Sequence, residues 1–120
     1  MIDDMYQEII LEHYKQPSNF GKLEKYSNYF REVNPTCGDG VEVFLMVKDG
    51  KIEDVKFSGQ GCVVSMAASS MLTENIKGKT VEEIKKLGKD DVFKMLGIPI
   101  SHAREKCALL SLKAVNNALK

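Results

Sequence analysis

Three cysteines and one aspartate are the residues of this chain that could do chemistry. Cys37 and Asp39 are separated by one glycine in Asn34-Pro35-Thr36-Cys37-Gly38-Asp39-Gly40, a stretch too rich in turn formers to be helical. Cys62 follows Gly59-Gln60-Gly61, and Cys107 comes late in the chain. Three thiols cannot all pair within one chain, and a reducing compartment disfavours structural disulfides, so another explanation is needed. Thiolates beside a carboxylate suit tetrahedral zinc or an iron-sulfur cluster with four protein ligands. Ligand type makes this case, because the intervals between the cysteines match no short zinc-finger spacing. An oxygen donor in place of a fourth thiolate should make a cluster easier to release, a defect in an electron-transfer protein and a requirement in a carrier.

The remaining composition excludes several other classes. With 17 Lys+Arg against 17 Asp+Glu there is no net field to attract a polyanion, and no basic stretch is interleaved with aromatics, so nucleic acid is not an expected partner. No apolar run approaches the ~18 residues that span a bilayer, and Met1-Ile2-Asp3-Asp4 lacks a signal-peptide charge pattern. The expectation is a cytoplasmic protein with no membrane partner. Its 120 residues fit a single small domain, 1–120. No phosphate-binding loop is present, since Gly59-Gln60-Gly61 lacks the spacing and the lysine.

The elements that must position the four residues are legible from periodicity. Val41–Val47 and Ile52–Phe57 flank Asp49-Gly50, the pair that supplies two positive φ angles to a type I′ hairpin. Residues just before Val41 and just after Phe57 then share one open end, which brings Cys37, Asp39 and Cys62 together. Ser27–Val33 is predicted as a further strand. Val63–Ile76 is predicted as a helix stopped near Gly78, with Cys62 at its N-terminus, where the helix dipole favours thiolate. Thr80-Val81-Glu82-Glu83 reads as a capping box, and Asp90–Leu96 as a short helical turn. A last helix begins after Ser101 or His102 with stripes Ala108/Leu112/Val115/Leu119 and Cys107/Leu110/Ala114/Ala118. By residue type alone Cys107 is more often a small buried hydrophobe than a ligand. An amphipathic first helix over residues 3 to about 15 carries Met5, Tyr6, Ile9, Ile10, His13 and Tyr14 on one stripe, and His13 is read there as a packed side chain. Residues 16–23 read as a turn-rich connector.

Tyr6 to Gly21, then Asn34-Pro35-Thr36-Cys37-Gly38-Asp39, then Gly59-Gln60-Gly61-Cys62 with its Ser/Ala-rich helix, and the late Cys107 together resemble the IscU/NifU-type iron-sulfur cluster assembly scaffold family. The resemblance covers essentially the whole chain. It implies an α/β (α+β) fold: a small three-stranded antiparallel sheet, about four to six helices packed mainly on one face, and the metal site at one end. It implies a function too, in which a cysteine desulfurase delivers persulfide sulfur, iron joins it, and a [2Fe-2S] cluster passes to recipient apo-proteins. Carried over, Cys37, Cys62 and Cys107 are thiolate ligands, Asp39 is a ligand or tunes release, and Cys107 is the persulfide acceptor. Zn2+ or Fe2+ is the expected occupant of a cluster-free site, and the N-terminal helices of two chains are the expected cover in a cluster-bound homodimer.

Two departures qualify that picture. Lys106 stands where the family usually has histidine, leaving the fourth ligand among Asp39, His102 and Lys106. Ile100-Ser101-His102-Ala103-Arg104 replaces the stretch read by Hsp70-type chaperones, so such a partner is not expected. Ala103-Arg104-Glu105-Lys106-Cys107-Ala108 instead resembles the tail of SufU-type zinc-dependent sulfurtransferases, which carry an insertion between the second and third cysteines that this chain lacks.

Overall fold

The computed structural model describes residues 4–35 and 38–120, with side chains from residue 7 onward in that range. Asp49 and Gly50 adopt φ of 54° and 76°, the left-handed pair required to turn the chain between β2 (Asp39–Lys48) and β3 (Lys51–Gln60). β1 (Asn28–Asn34) pairs antiparallel with β2 on its other side, giving the order β1-β2-β3. Both hairpin strands run further than their apolar alternation suggests. Pairing continues through glycines, with Val33 opposite Gly40 and Val41 opposite Gly59, because the ladder depends on backbone groups and tolerates residues of low strand propensity. As a result Asp39 is a strand residue, paired with Asn34, rather than part of a loop.

One face of the sheet is closed. Val41, Val43 and Leu45 of β2 and Ile52, Val55 and Phe57 of β3 have no exposed surface, and burial of each such side chain is worth roughly 2 kcal/mol. Against this face lie α2 (Val63–Ile76) and α5 (His102–Ala118). Ala67, Ala68, Ser69 and Ser70 of α2 are fully or almost fully buried, so the helix approaches closely through small side chains. α1 (Asp4–Lys15) packs on α2 rather than on the sheet, and α4 (Lys89–Leu96) fills the angle between α2 and α5. α3 (Val81–Lys85) opens with the predicted capping box, Thr80 with Glu83, and buries Ile84. No helix among the described residues is long and apolar enough to cross a membrane.

Two local expectations are corrected. The apolar stripe of α1 is narrower than its periodicity implies: Ile10 is buried and His13 half-buried, but Ile9 and Tyr14 are exposed. A helix in an outer layer meets only one neighbour, so only the residues aimed at α2 are covered. Met5 and Tyr6 lie outside the described side chains. His13 is the packed residue expected, its Nδ1 2.6 Å from the Ser70 hydroxyl of α2. The connector at 16–23 does more than link. Gly21 N–H donates to the Phe57 carbonyl at 2.8 Å and Phe57 N–H donates to the Asn19 carbonyl at 2.9 Å, so this segment covers the outer edge of β3.

The outer face of the sheet is organised by Glu42. Its carboxylate accepts from the Ser58 and Tyr29 hydroxyls, each at 2.6 Å, and has Lys22 Nζ at 3.6 Å. The Ser58 and Tyr29 hydrogen bonds, aided by Lys22, outweigh partial burial and hold the Glu42 carboxyl below its ordinary range. A carboxyl whose folded value is depressed adds stability that is complete above its unfolded value and is lost as pH falls through the folded one. Thermal melts from neutral to acid pH should therefore show an acid loss of Tm that is shallower in Glu42→Gln. Parallel acid limbs in the two proteins would remove Glu42 from that account.

Candidate metal centre

The open end of the hairpin, the N-terminus of α2 and the second turn of α5 meet at one place. Asp39 opens β2, and its side chain is buried at 5% exposure. One carboxylate oxygen, Oδ2, has no hydrogen-bond partner among the described residues. Leaving a carboxylate oxygen buried and unsatisfied costs on the order of 1–3 kcal/mol or more, so the orphan oxygen is one that a cation would satisfy. Cys62 is the N-cap of α2, its sulfur accepting from the Ser65 N–H at 3.5 Å. Burial pushes the Cys62 thiol up. Against that, the Ser65 N–H and hydroxyl, the Arg104 side chain and the Val64 N–H all favour thiolate, and together they bring the thiol below its usual value. Cys107 is 4% exposed.

The donor atoms of Asp39, Cys62 and Cys107 all lie within 4.8 Å of one another. Donors around a single tetrahedral ion with bonds of ~2.3 Å stand about 3.8 Å apart, so these three donors are gathered at nearly ligating separation. The set of two soft sulfurs and one hard oxygen fits zinc or iron. All three sit on regular secondary structure, a strand, a helix cap and a helix, rather than on loops, which fixes them more firmly than the glycine-rich sequence suggests. Sequence periodicity placed Cys107 on a buried stripe, and burial and ligation prove compatible: the helix face that meets the sheet also meets the sheet's open end.

Cys37 lies outside the described residues. His102 is fully exposed, with its Nδ1 3.6 Å from Glu105, and is not gathered with the three donors. Lys106 is exposed on the flank of α5. Residue types alone did not point to Arg104 or Ser65, because their roles arise from helix-terminal geometry. Gly61 did carry a signal, through its place immediately before Cys62. A Cβ there would lie 2.1 Å from the Ser65 hydroxyl and 3.1 Å from the Asp39 carboxyl carbon, so only glycine lets the chain pass this close to the site.

Residues 5–120 match the NifU-like N terminal domain. The chain belongs to that family. Among its relatives, the iron-sulfur cluster assembly scaffold protein IscU 1 of Archaeoglobus fulgidus is 38% identical over 115 residues, covering 96% of this chain and 74% of the relative. The zinc-dependent sulfurtransferase SufU of Bacillus subtilis is 35% identical over 135 residues, covering 98% and 91%. The fold is likewise that of the NifU-like domain. The crystal structure of a SUF-system iron-sulfur cluster assembly scaffold protein from Fervidobacterium islandicum AW-1 superposes with a TM-score of 0.80 at 29% identity, over 94% of this chain and 95% of that one. The expected three-stranded antiparallel sheet with helices on one face is thus the family architecture. Length does not separate scaffolds from sulfurtransferases here, since a relative named as an IscU scaffold also aligns over 132 residues, more than this chain contains.

Proposed function

We infer that this chain, a single domain over 1–120, is an iron-sulfur cluster assembly scaffold, and we propose that its product is a [2Fe-2S] cluster held by Cys37, Asp39, Cys62 and Cys107. The observation that carries the reading is the convergence of two thiols and an orphaned buried carboxylate within 4.8 Å, in a NifU-like domain. Iron and sulfide are cargo in this reading. The Cys107 thiolate attacks the outer sulfur of the desulfurase persulfide and releases the desulfurase cysteine thiolate, electrons from ferrous iron and an external thiol reductant bring that sulfur to sulfide, and apo-proteins receive the finished cluster. The chain's own contribution is to keep Cys62 as thiolate through the start of α2 and to offer one oxygen donor that makes release easier than four thiolates would.

Asp39→Ala tests the role of that oxygen by two independent readouts. Without the buried carboxylate the metal-free protein should be more stable, by roughly 1–3 kcal/mol in denaturant titration. A cluster assembled on the variant should persist severalfold longer and pass more slowly to an apo-ferredoxin. A variant equal to the parent in both respects would leave Asp39 with no part at the metal.

A second reading is favoured by the compactness of the site. Donors within 4.8 Å suit one ion without rearrangement, as a zinc-dependent sulfurtransferase would need, with Cys107 displaced from the metal to attack the desulfurase persulfide. The Arg104-Glu105-Lys106-Cys107 segment supports the same reading. Tightly retained zinc, faster desulfurase turnover and no cluster under anaerobic reconstitution would select it over the scaffold.

A further inference from the structure

The molecule carries a second built feature beside the metal centre, which that chemistry does not use. A groove of about 690 Å³ runs along the flank of α5, between the end of β1 and the start of α4. Its apolar wall includes Val33, which is 48% exposed, and Leu109. Its rim is cationic: Lys106 and Lys113 stand seven residues apart on α5, Lys120 follows just beyond the end of that helix, and Lys89 faces them from α4. Seven residues return a helix to nearly the same face, so Lys106 and Lys113 stand about 10 Å apart along one flank, with Lys120 beyond them. The one acid among the described lining residues is Glu32, already engaged by Lys113 at 3.4 Å and by the Asn117 amide at 3.1 Å. A chain with no net charge has thus gathered four lysines and a single acid among the described lining residues around an apolar trough.

We propose that this groove is a docking site for an extended, acidic segment of a partner protein. In a polyproline II segment every third residue returns to the same side after ~9 Å, so acids at that interval match the Lys106-to-Lys113 spacing while the residues between them contact Val33 and Leu109. β1 is an edge of the sheet, with no strand beyond it among the described residues, so backbone groups near Val33 are open to the same segment. A second copy of this chain is a poor occupant, because two-fold docking through this face sets Lys113 against Lys113 and Lys106 against Lys120. One end of the groove is formed by Pro35 and Lys106, and Lys106 immediately precedes Cys107, so a docked segment tethers its protein beside the metal centre. The inference is independent of which metal the centre takes, since the groove and its charge contain none of the three gathered donors.

The test uses the full chain, metal-free and zinc-loaded, with a fluorescein-labelled peptide carrying Glu at every third position and Val and Ser between. Two control peptides replace Glu by Lys, or Val by Gly. Anisotropy should show saturable binding of the first peptide alone, weakening with salt as expected of an electrostatic rim. Amide resonances of Val33 and Leu109 should shift. The double variant Lys89→Glu/Lys120→Glu should bind at least about tenfold more weakly with an unchanged far-ultraviolet spectrum, and Val33→Ser, on an exposed side chain, should weaken binding without altering the salt slope. Absent saturable binding, equal binding of the Gly control, or shifts confined to another face would each overturn the proposal. None of these readouts involves iron, sulfide or desulfurase, so a failure here leaves the scaffold reading standing, and the reverse is also true.

Discussion

Gly59→Ala should lower the stability of this protein by roughly 3 kcal/mol or more, the largest loss expected from any single methyl group. Gly59 has φ of +141°, a conformation that costs any L side chain strain of order 1–3 kcal/mol. The added Cβ would in addition sit 2.1 Å from the Gly40 carbonyl oxygen and 3.0 Å from the Val41 Cα. Those atoms are backbone on the neighbouring strand, so nothing can rotate away, and relief requires β2 and β3 to separate at the end that carries Asp39. In thermal unfolding the midpoint should fall by about 10 °C or more. Because the separation acts on the first residues of β2, metal binding should weaken as well. A variant that melts within a few degrees of the parent would show that the close strand approach at Gly59 is not a real constraint.

Cys107→Ala should show the opposite balance, a small structural effect and a large chemical one. The side chain is 4% exposed and packs on the apolar stripe of α5, so removing one sulfur should cost only on the order of 1 kcal/mol in denaturant titration of the metal-free protein. At the metal it removes one of two described thiolates from a site that has a single oxygen donor beside them. Metal affinity should fall at least about a hundredfold, as expected when a ligand and its charge are lost together. Competition with a chromophoric chelator measures that loss. If Cys107 were a mere core residue, chelator competition in Cys107→Ala would match the parent while stability alone declined.

Much of this architecture follows from residues that announce themselves. Asp49-Gly50 is a turn pair whose two left-handed angles are what it supplies, and α2 begins and ends where Cys62 and the approach to Gly78 place its limits. The same logic brought Asp39 near Cys62, since a hairpin returns its two ends to one place. The structure adds what a chain read in order does not contain. That Asp39 belongs to β2 depends on its pairing with Asn34, a contact with another strand. That the 16–23 connector covers the β3 edge depends on Asn19 and Gly21 at φ of 59° and 132°, angles that no apolar pattern encodes. The exposed Ile9 and Tyr14 depend on how little of α1 another element covers. At the site, Cys107 was ambiguous because thiols are good core residues as well as good ligands, and the structure adds that it is both buried and beside Asp39 and Cys62. Asp39 is gathered with the two thiols whereas His102 is fully exposed and outside the gathered donors, which supports Asp39 in the proposed ligand set.

The central claim concerns what the gathered sulfurs and carboxylate hold. Protein purified and kept free of oxygen, then supplied with ferrous iron, cysteine, a cysteine desulfurase and a thiol reductant that brings persulfide sulfur to sulfide, should be analysed for iron, acid-labile sulfide and zinc alongside its visible absorption spectrum. The expected result is equal amounts of iron and sulfide with the absorption bands of a [2Fe-2S] chromophore, lost in Cys107→Ala. Retained zinc with no sulfide and no visible chromophore would contradict the scaffold account.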